Sequence, residues 1–107
     1  MKIELATKND YQIIRITEDI RLDTDIVDVR TIVEEMVEEG IYNFAISLTP
    51  RSHLSSMSIG IILQCFSLVK DKNGKIALVN PNEDDDDLLE VLGLTSLIKV
   101  CKSENNL

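Results

Sequence analysis

The chain has no tryptophan, and only two phenylalanines and two tyrosines in 107 residues. A core made here has to be packed from Ile, Leu and Val rather than from stacked rings. Two cysteines, Cys65 and Cys101, stand alone with neither a CxxC pair nor a zinc-like spacing, and read as simple core residues. The opening Met1–Ala6 carries Glu4 among its apolar residues and does not read as a signal peptide. The expected setting is therefore the cytoplasm, with reduced thiols. Basic residues are scarce, 11 against 19 acidic, for a net charge of -8. That balance argues against a nucleic-acid partner, whose phosphates need Lys and Arg. No apolar run approaches the roughly 20 residues of a membrane span, so no membrane partner is expected. The four glycines form no phosphate-binding loop, and Gly60 is expected to let its helix approach a sheet closely. His53, the single histidine, has no nucleophile at a recognisable spacing; it reads as a loop residue near a partner surface rather than half of a catalytic dyad.

What remains is an ordinary globular composition, 44% hydrophobic, enough for one domain with a small core. Lys2–Leu5 and Tyr11–Thr17 alternate as strands do, with Asn9-Asp10 as the turn of a hairpin. Thr24 or Asp25 is expected to cap a helix whose apolar residues, Val29, Ile32, Val33, Met36 and Val37, recur at spacings of three and four, and Gly40 stops it. Ile41–Leu48 is almost continuously apolar, as a strand covered on both faces is. A central helix is predicted from about Ser56 to Lys72. Ile59, Ile62, Leu63, Phe66 and Val69 form its first face, and Ile61, Cys65 and Leu68 widen the apolar band. Lys75–Asn80 is a further strand. Pro81-Asn82 opens a third helix with Leu88, Leu89 and Leu92 looking inward and Gly93 at its close. Leu97–Cys101 is a last short strand, and Ser103–Leu107 a polar tail. Strands alternating with helices imply parallel pairing through right-handed crossovers, and the opening hairpin makes the sheet mixed.

Two clusters invite a chemical reading. Asp84–Asp87 are four adjacent acids, but on a helix they point in different directions, and calcium ligands need loop spacing; acid in a first turn complements the helix dipole without any metal. No metal and no cofactor are expected. Ser52, Ser55, Ser56 and Ser58 crowd the start of the central helix. Hydroxyls there cap free backbone N–H groups, and the same N–H groups attract phosphate. A serine at this place is a cap, a phosphate acceptor, or both in turn.

From about Tyr11 to Lys102 the chain resembles a STAS domain, the fold of bacterial anti-sigma-factor antagonists. The residues that carry the resemblance are the strand Phe44–Leu48, the loop after it, then Ser55-Ser56-Met57-Ser58-Ile59-Gly60-Ile61-Ile62-Leu63, with Gly74–Asn80 and Leu92–Ile98 following in order. The family's segment reads Asp-Ser-Ser/Thr-Gly-Leu-Gly-Val-Leu, and the serine after the Asp is phosphorylated by a partner kinase. Ser56 matches that serine. Ser55 stands in place of the Asp, Met57 in place of the second hydroxyl residue, and Ser58 in place of the Gly. The family's closing amphipathic helix is missing or cut short here. The resemblance implies an α/β, STAS-like fold, a mixed sheet with helices packed mainly on one side. It also implies a non-enzymatic regulator that binds a serine-kinase anti-sigma factor and is reset by a phosphatase. The partner-binding residues would be His53, Ser55, Ser56, Met57, Ser58 and Ile61, with Ser56 the modified one. The altered motif favours a second reading, a STAS scaffold or self-assembling module that is never phosphorylated. A homodimer fits either reading.

Overall fold

The computed structural model describes residues 1–107. Five strands, β1 (Ile3–Lys8), β2 (Tyr11–Ile16), β3 (Asn43–Ser47), β4 (Lys75–Val79) and β5 (Lys99–Cys101), lie side by side in chain order. The hairpin pair β1–β2 is antiparallel and every later pair is parallel. Its turn is Asn9-Asp10, with Asn9 at a positive φ of 54°, a conformation asparagine tolerates and tight hairpins require. Three helices make the crossovers: α1 (Val27–Glu38), α2 (Ser56–Lys70) and α3 (Glu83–Val91). Because the order β2-β3-β4-β5 never reverses, right-handed crossovers place all three on one face. The mixed sheet with helices on one side is the fold expected from the sequence.

Strand alternation sorts the two faces. Ile14, Ile16, Phe44, Ile46, Ile76 and Leu78 point at the helices and join Val29, Val33, Ile62, Cys65, Val69 and Leu89 in one buried core. Fully burying each such aliphatic side chain contributes about 1.5–3 kcal/mol. The other face carries Tyr11, Ile13, Ala45, Ala77 and Val79, a second and smaller buried cluster. It is covered by Ser103–Leu107, which is no loose tail. Ser103 caps a single 3-10 turn, Glu104–Asn106, and Leu107 packs on the cluster. Glu104 receives Arg15 Nε and Nη2 at 2.8 and 2.7 Å and Ser47 Oγ at 3.0 Å. Lys8, Asn9 and Lys99 hold Asn105, Leu107 and Asn106. This short strap lies on the sheet face that the helices leave bare.

Several local expectations are corrected. In α2 the buried side is Ser58, Ile59, Ile61, Ile62, Cys65 and Val69, and Leu63, Phe66 and Leu68 are only half-buried. The inward face thus takes in Ile61 and Cys65 as well as Ile59, Ile62 and Val69, and α1 packs beside α2. In α3 only Leu89 of the three leucines is buried; Leu88 and Leu92 face solvent, since the helix is short and lies over the rim of the core. A side chain at Gly60 would meet nothing, so that glycine serves no close approach. The close approach is at Gly74, where a Cβ would run into Tyr42 O and lie 2.6 Å from Val69 Cβ. The α1 cap position is Ile26, and Asp25 contributes by accepting the Val27 N–H at 2.9 Å.

Candidate functional site

β3 ends at Ser47, and the chain then crosses the end of the sheet to reach α2. This connection, residues 48–55, is polar yet fixed from two sides. On one side Ser52, 1% exposed, accepts the Ile20 N–H at 3.0 Å. Thr49 Oγ1 donates to Asp19 at 2.6 Å and so accepts from Ser52 Oγ at 2.7 Å, and His53 N–H donates to Ile20 O at 2.7 Å. On the other side stands the first turn of α3. Asn82 Nδ2 donates to Ser52 O at 2.7 Å and to Asp85 Oδ2 at 3.0 Å, and lies 3.0 Å from His53 Nδ1. The Leu54 N–H donates to the same Asp85 oxygen at 2.8 Å. Asp85 is only 7% exposed. Of the four adjacent acids it is the one turned inward, as a hydrogen-bond acceptor for this loop.

The four serines then separate by role. Ser55 caps α2: its Oγ accepts the Ser58 N–H at 3.1 Å and donates to Ser58 Oγ at 3.2 Å. Asp and Ser are both strong caps, so the change from the family's Asp at this position preserves the helix start. Ser52 is bound within the loop. Ser58 is 0% exposed. Ser56, the first helical residue, is exposed, as are Met57 and His53.

The expected partner-binding set is therefore divided. His53, Ser56 and Met57 lie on the surface, with Met57 55% exposed, and Ser55 is half-buried. Ser58 and Ile61 do not belong to that surface. Helical spacing of three puts both on the side of α2 that faces the core, and Ile61 is 7% exposed within it. The sequence placed Asn82 at the opening of α3 and Asp85 in the acid cluster, but not their hydrogen bonds to the loop before α2. The only local signal was the Asn-x-x-Asp spacing at a helix start, which reads simply as a cap; indeed Asn82 Oδ1 does accept the Asp85 N–H at 2.8 Å.

The thiols lie elsewhere. Burial pushes the Cys65 thiol up to about 12, and burial also raises that of Cys101; neither is poised as a nucleophile. No helix is long and apolar enough to cross a membrane.

Comparison with known proteins agrees with this geometry. The crystal structure of TM1081 from Thermotoga maritima, a proposed anti-sigma factor antagonist, is 18% identical with a TM-score of 0.76, covering 97% of this chain and 89% of that one. An NMR structure of TM1081 gives the same identity and TM-score over 99% of this chain and 85% of that one. The Bacillus cell-fate determinant SpoIIAA in its phosphorylated form is 15% identical with a TM-score of 0.72, covering 98% of this chain and 96% of that one. At these identities the likeness shows the fold. The family model of the STAS domain matches residues 2–107, and the chain belongs to the STAS domain family.

Proposed function

We propose that this STAS domain works by protein–protein binding as an anti-sigma-factor antagonist in the cytoplasm, and not as an enzyme. Its docking surface is the start of α2 with the loop before it, and its partner is a serine-kinase anti-sigma factor. The observation that carries this reading is the separation of the serines. Ser52 and Ser58 are buried and Ser55 is the cap, while Ser56 alone of the four stands exposed on the first turn of α2. A phosphate there would sit where free N–H groups and the dipole favour it, so the fold tolerates it. The same phosphate adds about two negative charges to the contact and breaks it through repulsion and desolvation. A phosphatase acting on Ser56 would restore binding. The net charge of -8 suits a basic partner surface and speeds encounter.

The test is binding of wild type, Ser56→Ala and Ser56→Asp to a purified serine-kinase anti-sigma factor, with phosphopeptide mapping. Ser56→Ala should bind and take up no phosphate. Ser56→Asp should fold and bind more weakly. Phosphate retained in Ser56→Ala would move the acceptor to Ser55 or Ser58. Met57 and Ser58 in place of the family's hydroxyl residue and glycine favour the second reading, a scaffold that assembles with itself, including as a homodimer. If none of the three forms binds any serine-kinase anti-sigma factor and none is phosphorylated, the scaffold reading replaces the first.

A further inference from the structure

Ser56 follows the loop of residues 48–55, whose start is tied to β4 by the Leu48 N–H donating to Val79 O at 3.0 Å. Its position is set by what holds Leu54 and Ser55 just before it. The Leu54 side chain is buried in the main core, while its backbone N–H is satisfied by Asp85. One oxygen, Asp85 Oδ2, accepts both that N–H at 2.8 Å and Asn82 Nδ2 at 3.0 Å. Asn82 in turn holds Ser52 O. The first turn of α3 thus grips the loop at two backbone points, two and four residues ahead of Ser56. A carboxylate 7% exposed would be costly to bury without such partners.

We propose that Asp85 is a positioning residue for the α2 start: it fixes the backbone ahead of Ser56, with Asn82 as its support, and so presents the serine to the partner kinase. This rests on the docking and phosphorylation proposed above, and it adds α3 to the switch. The bland alternative is that Asp85 only stabilises α3, as any acid in a first helical turn does. The two differ in what happens at Leu54. Asp85→Ala removes the acceptor from a buried N–H. Asp85→Asn keeps a side-chain oxygen at the same place, able to accept from both Leu54 and Asn82. Leu89→Ala weakens α3 from within the core, where Leu89 is 1% exposed, and leaves both hydrogen bonds intact.

The experiment compares these three variants in the full chain. The first readout is amide hydrogen exchange, each variant measured against its own global stability. Asp85→Ala should speed exchange at Leu54 and in the first turn of α2 by about tenfold or more relative to Leu89→Ala. Asp85→Asn should restore protection. The second readout is the rate of phosphate incorporation at Ser56 by a serine-kinase anti-sigma factor that modifies the wild-type chain. Asp85→Ala should lower kcat/KM by roughly tenfold through loss of orientation, with Asp85→Asn and Leu89→Ala close to wild type. Equal exchange at Leu54 in Asp85→Ala and Leu89→Ala overturns the proposal, whatever any kinase does. So does changed exchange with unchanged phosphorylation. A wild-type chain that no such kinase modifies overturns the proposed phosphorylation and with it the presenting role, while the exchange at Leu54 still decides whether Asp85 fixes the loop.

Discussion

At the scale of single residues, neighbouring serines at the start of α2 carry different physics. Ser55 is extended, with φ -87° and ψ 170°, and its hydroxyl satisfies the Ser58 N–H; Ser56, one residue later, is helical and exposed. Alanine at Ser55 should therefore cost about 1 kcal/mol of stability through the lost cap. Alanine at Ser56 should change stability by less than half of that, as surface substitutions do. Urea denaturation followed by circular dichroism reads both. A larger loss at Ser56 than at Ser55 would mean that the cap lies at Ser56 and that the register of the helix start is shifted by one, and equal losses would mean that the Ser55 hydroxyl does not act as the cap. That distinction matters for the switch, because a capping hydroxyl cannot be modified without loosening the first turn, whereas an exposed first-turn hydroxyl can.

At the scale of elements, the strap Ser103–Leu107 has a titratable anchor. Arg15 beside Glu104 holds that carboxyl below the usual carboxylate range, and the Ser47 hydroxyl works in the same direction against partial burial. Glu104 correspondingly raises Arg15. A carboxylate whose folded pKa is depressed contributes stability above its unfolded pKa, near 4.5, and loses it as pH falls through the lower folded value. Glu104→Gln should then destabilise the chain at pH 7, by about 1 kcal/mol or less for a partly exposed pair. The difference between wild type and variant should shrink steadily as the pH drops below about 4.5. Melting curves of both forms from pH 7 to pH 3 check this. A difference that stays constant over that range would show that the ion pair does not hold the strap. The acid cluster of α3 behaves otherwise: Asp85 is turned into the loop while Asp84, Asp86 and Asp87 remain on the surface.

At the scale of the whole molecule, one sheet with both faces covered unfolds as one unit, because the same strands line both clusters. Ile62, 2% exposed in the middle of α2, lies in the larger buried cluster. Ile62→Ala should cost about 2–5 kcal/mol through lost burial and a cavity, a large share of a total of roughly 5–15 kcal/mol. The denaturation midpoint should fall while the transition stays single and its slope is kept. An unchanged midpoint would show that this face of α2 is not core.

The elements themselves were legible because each is written in local chemistry. Alternation marked β1 and β2, Asn9-Asp10 marked their turn, three- and four-residue spacings marked α1 and α2, and the apolar run at Phe44–Leu48 marked the central strand. The serine cluster and its place at a helix start were equally plain, and Ser56 was singled out there by its match to the family's motif. Tertiary structure alone decided which serine is exposed, because that depends on how α2 is rotated about its axis against α1 and the sheet. It also decided that Ile61 and Ser58 face inward, since an apolar band wide enough to be read two ways has its inward side chosen by its neighbours. Asp85 shows the limit most directly. Its partner, Leu54, is 31 residues away, and the α3 start meets the α2 entry loop only because β3 and β4 pair in parallel and bring their following segments to the same end of the sheet. Glu104 finds Arg15 and Ser47 in the same way, across strands that no local pattern relates. Periodicity encodes what a residue does within its own element, and contacts between distant elements follow from strand order and register, which arise only when the chain is packed.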